Sequence, residues 1–303
     1  MHNKIEKILT QLNSVLLGKQ QQTQLALVCL LADGHLLIED LPGMGKTTLA
    51  SMLAKTLGLA YQRVQFTSDM LPADILGVSI FDTTKQQFRF HKGPIFSQVL
   101  LADEINRASP KTQSALLEAM EEKQVSVDGE TYPLPTPFFV IATQNPMDQA
   151  GTFPLPESQL DRFMMRIELG FPDRAAEMAM LKSSNSAHDI TAVIDFSTLQ
   201  KMQQAVKKVQ VNDALLSYLL SLIDESRYSG LAMNPLSPRC SKTILQAAKA
   251  MAFINQRSYV IPEDVQAVFS AVTEHRLQGV NYEKQGSSVL SKALLKRVDP
   301  LSQ

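Results

Sequence analysis

A chain of 303 residues, 45% hydrophobic and 19% charged, can form one large or two modest domains. Its formal net charge of −1 argues against a sequence-wide electrostatic footprint for nucleic acid, although local basic patches stay open. The 2 cysteines, Cys29 and Cys240, lie far apart without ligand-like spacing and read as idle thiols of a reducing compartment. Residues 1–17 place Ile5, Ile8, Leu9 and Leu12 at helical spacing and lack the continuous apolar core of a signal peptide. No run approaches the length of a membrane span, so the expected location is cytoplasmic.

The next element carries the most information. The apolar run Leu36-Leu37-Ile38 reads as a strand and passes through Leu41-Pro42-Gly43-Met44-Gly45 into Lys46-Thr47-Thr48 and a helical pattern over 46–57, stopped by Gly58. Strand, glycine loop and helix in that order form a nest of backbone N–H groups at the positive end of a helix, which binds polyphosphate. Gly43 and Gly45 let the backbone wrap the phosphates, Lys46 reaches the β- and γ-phosphates, and the Thr47 hydroxyl suits Mg²⁺. The strict pattern G-x-x-x-x-G-K-[ST] puts glycine where this chain has Asp40. Aspartate tolerates turns, so the loop is expected to form with that carboxylate turned away from the phosphates.

Residues 61–66 read as a second strand, followed by a hairpin in which Val78 and Ile80 alternate on one arm and Phe88 and Phe90 on the other. Gln98-Val99-Leu100-Leu101-Ala102 reads as a buried parallel strand ending in Asp103 and Glu104. Beyond a phosphate loop, the first acid holds the Mg²⁺ shell and the second orients and deprotonates the attacking water, so Mg²⁺-dependent ATP hydrolysis is the expected chemistry. Ser109 and Pro110 begin a helix carrying Leu116, Leu117 and Met120. The Asp128-Gly129 pair marks a second hairpin. Residues 137–143 form a strand ending in Gln144-Asn145-Pro146, whose Asn145 amide can touch both the γ-phosphate and the water. A last strand over 164–169 meets the break Gly170-Phe171-Pro172-Asp173, and helices follow over 174–182, 197–209, 213–227, 238–256 and 262–275. The tail after Gly279 has mixed polarity and suggests no element.

Leu41-Pro42-Gly43-Met44-Gly45-Lys46-Thr47, Ala102-Asp103-Glu104-Ile105-Asn106-Arg107, Ala142-Thr143-Gln144-Asn145-Pro146, Leu155-Pro156-Glu157-Ser158-Gln159-Leu160-Asp161-Arg162-Phe163 and Leu236-Ser237-Pro238-Arg239 resemble MoxR-type AAA+ ATPases over nearly the whole chain. The resemblance implies a three-layer α/β P-loop domain with a parallel sheet over 1–170 and a small all-α lid domain over 171–303. It also implies assembly into rings, commonly hexamers, and partner proteins that often carry von Willebrand factor A domains, whose metal site the motor helps to load. By the same resemblance Leu17 and Gly18 line the adenine pocket, and Arg162 is the finger delivered to a neighbour's site, with Arg166 as a rival and a salt bridge to Asp161 or Glu157 as the plain alternative. Arg239 takes the place of a lid arginine that contacts the γ-phosphate of its own subunit. The two hairpins resemble inserts of the branch that includes magnesium chelatase subunits, and their mechanical role stays open. A ring motor that remodels or matures partners, and a nucleotide-gated scaffold with little turnover, both remain open.

Overall fold

The computed structural model describes residues 1–145, 151–182, 190–232, 234–278 and 289–300. Helices α1 (His2–Val15) and α2 (Gln20–Leu31) precede β1 (Leu36–Glu39), followed by α3 (Lys46–Thr56), β2 (Tyr61–Gln65) and the short α4 (Pro72–Leu76). A hairpin of β3 (Gly77–Asp82) and β4 (Gln87–Lys92) leads to β5 (Val99–Asp103) and α5 (Pro110–Glu122). A second hairpin, β6 (Gln124–Val127) and β7 (Glu130–Pro133), leads to β8 (Phe139–Gln144), the single-turn α6 (Glu157–Leu160) and β9 (Met165–Ile167). Helices then predominate: α7 (Arg174–Lys182), α8 (Phe196–Lys207), α9 (Asp213–Tyr228), α10 (Pro238–Ile254), α11 (Pro262–Leu277) and α12 (Val289–Arg297).

Five strands form one parallel sheet in the order β2-β5-β8-β1-β9. Side chains of a strand point alternately to opposite faces, and here the alternation divides the core in two. Leu36, Ile38, Val99, Leu101, Phe139 and Ile141 join one apolar cluster, whereas Leu37, Leu100, Ala102, Val140 and Ala142 join the other, against α5. Burial on both faces is why these strands read as unbroken apolar runs.

Among the described residues, the helical C-terminal region shares its apolar core with the first helices. Leu199, Leu222, Ile244, Phe269 and Leu294 belong to the same apolar cluster as Ile8, Leu27 and Leu53 of the first three helices. The docking platform is α2, whose Leu30 carbonyl accepts from Gln203 Nε2 at 2.9 Å, while the Ala32 carbonyl just beyond it accepts from Gln246 Nε2 at 2.5 Å. Arg276 of α11 adds bonds to the Phe163 and Met164 carbonyls at 2.8 and 3.3 Å. All of these anchors lie before β1 or before β9. Helices α8 and α10 therefore sit beneath the N-terminal end of β1, and α11 packs against β9.

Both expected hairpins form. In the second, Asp128 and Gly129 have φ of +52° and +81°, the paired left-handed conformations that a two-residue turn requires. Tyr132 stacks on Phe90 with ring centroids 4.2 Å apart, so the two hairpins lie against each other. Ser109 caps α5 and Ser237 caps α10, as their positions suggest, accepting from Thr112 N at 3.4 Å and Cys240 N at 3.2 Å. The tail contributes α12, an element its mixed polarity did not suggest. Residues 279–288 lie outside the described residues.

Candidate active site

The loop leaving the C-terminal end of β1 holds Gly43 at φ +82° and Gly45 at φ +91°, values strained for any residue with a Cβ. Gly45 is the N-cap of α3 and supplies no side chain to its first turn, so the N–H groups there point into the loop without a capping acceptor. Pro42, Met44, Thr47 and Thr48 complete this cradle, with Thr47 and Thr48 in the first turn of α3 and Met44 packed partly against the core. Lys46 Nζ donates to the Asp40 carbonyl at 2.6 Å. Burial pushes the Lys46 ammonium below its ordinary pKa, while the charges of Asp40, Asp103 and Glu104 work the other way. The Asp40 carboxylate does turn away from the loop interior, accepting from Leu41 N at 2.8 Å and from Gly170 N at 2.6 Å.

Beside the loop, β5 ends in Asp103, which is 7% exposed. One of its oxygens accepts from Thr143 Oγ1 at 2.6 Å, and the other accepts from Arg63 Nε and Nη2 at 3.1 and 2.7 Å. Glu104 follows at φ +56° and is fixed by a bond from its N–H to Thr143 Oγ1 at 2.9 Å. Its carboxylate lies toward β2, accepting from Gln65 Nε2 at 2.7 Å and from Arg107 Nε at 2.9 Å. Asn145 follows β8 directly, one strand from both the loop and Asp103, and Pro146 lies outside the described residues. The C-terminal ends of β1, β5 and β8 thus bring together Lys46, Thr47, Asp103, Glu104 and Asn145, with Arg63, Gln65 and Thr143 as partners that motif reading passed over.

The turn holding Leu17 and Gly18 closes one flank. A Cβ built on Gly45 would lie 3.6 Å from Leu16, and one on Gly18 would lie 2.9 Å from the Ala176 Cβ at the start of α7. Leu17 and Gly18 therefore sit between the phosphate loop and the first helix after the sheet.

Two arginines are elsewhere. Arg162 donates to Glu121 in the last turn of α5 and to the Leu117 carbonyl, the latter at 3.2 Å. Its ion-pair partner is Glu121, not the Asp161 or Glu157 that sequence proximity suggested. Arg239 reaches the same Glu121 at 3.1 Å and lies 3.8 Å from Asp161. Both arginines line a cleft with Gly34 and His35, the residues just before β1. Strands rise about 3.3 Å per residue, so the span from His35 to Asp40 puts about 16 Å of strand between this cleft and the phosphate loop. The expected contact of Arg239 with the phosphates of its own subunit is thus corrected: the helical region docks at the opposite end of β1, and Arg239 goes with it. Arg166 is half-buried, pairing with Glu39 at 2.9 Å and bonding Gln278 at 3.2 Å, and joins β9 to β1 and the end of α11.

A parallel sheet with a glycine-rich loop after one strand and a carboxylate pair after a neighbour defines a nucleotide-binding α/β protein. Residues 35–165 match the ATPase family associated with various cellular activities (AAA), and residues 232–297 match the AAA lid domain. The chain is 40% identical to the uncharacterised protein YeaC of Bacillus subtilis, over 98% of this chain and 94% of that one. It is 36% identical to the chaperone MoxR1 of Mycobacterium tuberculosis, over 97% of this chain and 80% of that one. A crystal structure from Cytophaga hutchinsonii, assigned as an ATPase, superimposes with a TM-score of 0.89 at 36% identity, covering 98% of this chain and 95% of that one. The chain belongs to the MoxR family of AAA ATPases. Among the described residues no helix is long and apolar enough to cross a membrane.

Proposed function

We propose that this chain hydrolyses ATP with Mg²⁺ as a subunit of a head-to-tail ring, a hexamer by family habit, and uses the cycle to remodel or mature partner proteins in the cytoplasm. The observation that carries the reading is the convergence of Lys46, Asp103, Glu104 and Asn145 at the ends of three adjacent parallel strands. The loop N–H groups and Lys46 hold the phosphates. Thr47 and Asp103 offer the hard oxygen donors that Mg²⁺ prefers, and one carboxylate with substrate phosphates is a sufficient set for that ion. When bound, Mg²⁺ would neutralise charge on the phosphates. Glu104 orients and deprotonates the attacking water once it leaves Gln65 and Arg107, and Asn145 aligns that water with the γ-phosphate.

Arg162 and Arg239 then serve a neighbouring subunit, since both stand about 16 Å of strand away from their own loop. A guanidinium brought in by a neighbour neutralises charge on the transferring phosphoryl group. Such an interface is heterologous and closes into a ring when its rotation divides a full turn. The chaperone name of a relative supports partner proteins as clients. Clients with von Willebrand factor A domains, and metal insertion into them, are the narrower form of this reading. The contacts holding Glu104 on Gln65 and Arg107 favour a second reading, a nucleotide-gated scaffold with little turnover.

Phosphate release by wild type, Lys46→Ala and Glu104→Gln separates the readings. Lys46→Ala should lose ATP binding, and Glu104→Gln should bind ATP without turning it over. Equal turnover in wild type and Glu104→Gln would remove Glu104 from its assigned role.

A further inference from the structure

Asp40 stands where the strict phosphate-loop pattern has glycine, and ATP binding alone does not account for it. The residue is 8% exposed, and every polar group on it is engaged. Its N–H donates to the Gln144 carbonyl at 3.2 Å, continuing the β1–β8 ladder. Its carbonyl accepts from Lys46 Nζ at 2.6 Å. One carboxylate oxygen accepts from Leu41 N, and the other accepts from Gly170 N at 2.6 Å. A buried carboxylate is tolerated when hydrogen bonds of this kind satisfy it.

Gly170 lies within the 168–173 linker between β9 and α7, with φ +64°. Its N–H is held by Asp40. Its carbonyl, with that of Leu169, accepts from Lys19 Nζ, both at 2.7 Å. Lys19 is itself buried. One peptide unit of the linker is therefore gripped on both sides by opposite charges, one of them on the phosphate loop. No Cβ clash would arise at Gly170, so the position requires glycine for its conformation and not for space.

We propose that Asp40 is a positioning residue that couples the phosphate loop to the linker at Gly170, so that transfer of Lys46 from the Asp40 carbonyl to bound phosphates is registered at the linker. This rests on the ATP-binding reading above. The same residue offers its main chain to the nucleotide-sensing lysine and its side chain to the linker. A change at one end loads the other through a single buried side chain.

The test is Asp40→Gly in the full chain. It creates the strict G-x-x-x-x-G-K-[ST] spacing, keeps the carbonyl that Lys46 uses and removes the side chain that holds Gly170. Fluorescent ATP should bind Asp40→Gly with an affinity within about threefold of wild type, since the phosphate nest of main-chain N–H groups is unchanged. Amide exchange across 167–173, read by mass spectrometry, should change on ATP addition by about threefold or more in wild type and not respond in Asp40→Gly. The nucleotide-free exchange at Gly170 should already be raised in that variant. Asp40→Asn, which keeps one acceptor oxygen, should fall between the two and serves if the glycine variant does not fold. A nucleotide response in Asp40→Gly equal to that of wild type would overturn the coupling. Loss of ATP binding in Asp40→Gly would also overturn it, by placing Asp40 in the binding site itself. Failure of the ATP reading would appear separately, as wild type that does not bind ATP or binding that survives Lys46→Ala.

Discussion

His35 should make this protein sensitive to acid, by an amount the structure sets. The imidazole is buried just before β1, with Nδ1 accepting from Val140 N at 3.1 Å and Nε2 3.4 Å from the Met120 carbonyl. A ring nitrogen that accepts a backbone N–H must be unprotonated, so the neutral tautomer with its proton on Nε2 fits both partners. Burial accordingly lowers its pKa from 6.5 to about 4. Between those two values the unfolded chain binds more protons than the native one, so stability is full above pH 6.5 and falls as pH drops toward 4. Integrated, the loss relative to pH 7 is about 1 kcal/mol at pH 5.5 and about 3 kcal/mol at pH 4. His275, buried against Arg276 and Arg166, is also depressed and adds in the same direction. The assay is denaturant unfolding from pH 7 to pH 4 for wild type and His35→Asn. Asparagine can place an oxygen near the Nδ1 position and does not titrate. The variant should be less stable at pH 7, having lost the ring and its edge-on contact with Phe138, but its decline with acid should be shallower by the amounts given. Parallel declines would refute the assignment of a neutral, burial-depressed His35.

Gly45→Ala should weaken ATP binding by about tenfold, because φ of +91° costs a residue with a Cβ about 1–2 kcal/mol, and titration with fluorescent nucleotide reads this directly. Mixing Lys46→Ala with Arg162→Ala should return about a quarter of wild-type turnover in random co-assemblies, since one interface in four then pairs an intact loop with an intact finger. No recovery, despite co-purification of differently tagged subunits, would assign Arg162 to its own chain. Asp264→Asn should destabilise by about 3 kcal/mol, because Asp264 is 1% exposed, pairs with Arg257 through both oxygens and caps α11 through Ile261 N. Calorimetry that showed no change in stability would contradict this.

The sequence showed the strands and loops of the site clearly, for physical reasons. β1, β5 and β8 are buried on both faces and therefore mostly apolar, and Lys46 follows β1 while Asp103 and Glu104 close β5. The partners of those acids were harder to see. Arg63 and Gln65 sit two residues apart on β2, a strand whose polar side chains are exposed in this chain, and only the pairing of Gln65 with Asp103 shows what they face. Alternating polar residues on a strand next to the acid-bearing one were the available signal. α2 was missed because it is buried along most of its length and so lacks an amphipathic stripe. α2 is nonetheless the platform for the C-terminal helices. Without it, the position of Arg239 at the far end of β1 could not be foreseen.

Helix α5 runs from the acid-bearing end of β5 to the arginine cleft and the hairpins. It starts 6 residues after Glu104, at Pro110, and its 13 residues make a rod of about 20 Å. Its last turn carries Glu121, on which Arg162 and Arg239 rest, and the chain then runs at once into β6 of the stacked hairpin pair. A rigid rod cannot tilt at one end alone. A small rotation of α5, set by the loop between Glu104 and Ser109, would move both arginines and swing the exposed hairpin tip bearing Phe81 and Phe88. In this geometry Glu104, the arginine cleft and the outer arm share one mechanical axis, which makes the pitch of α5 the coordinate to follow through any working cycle.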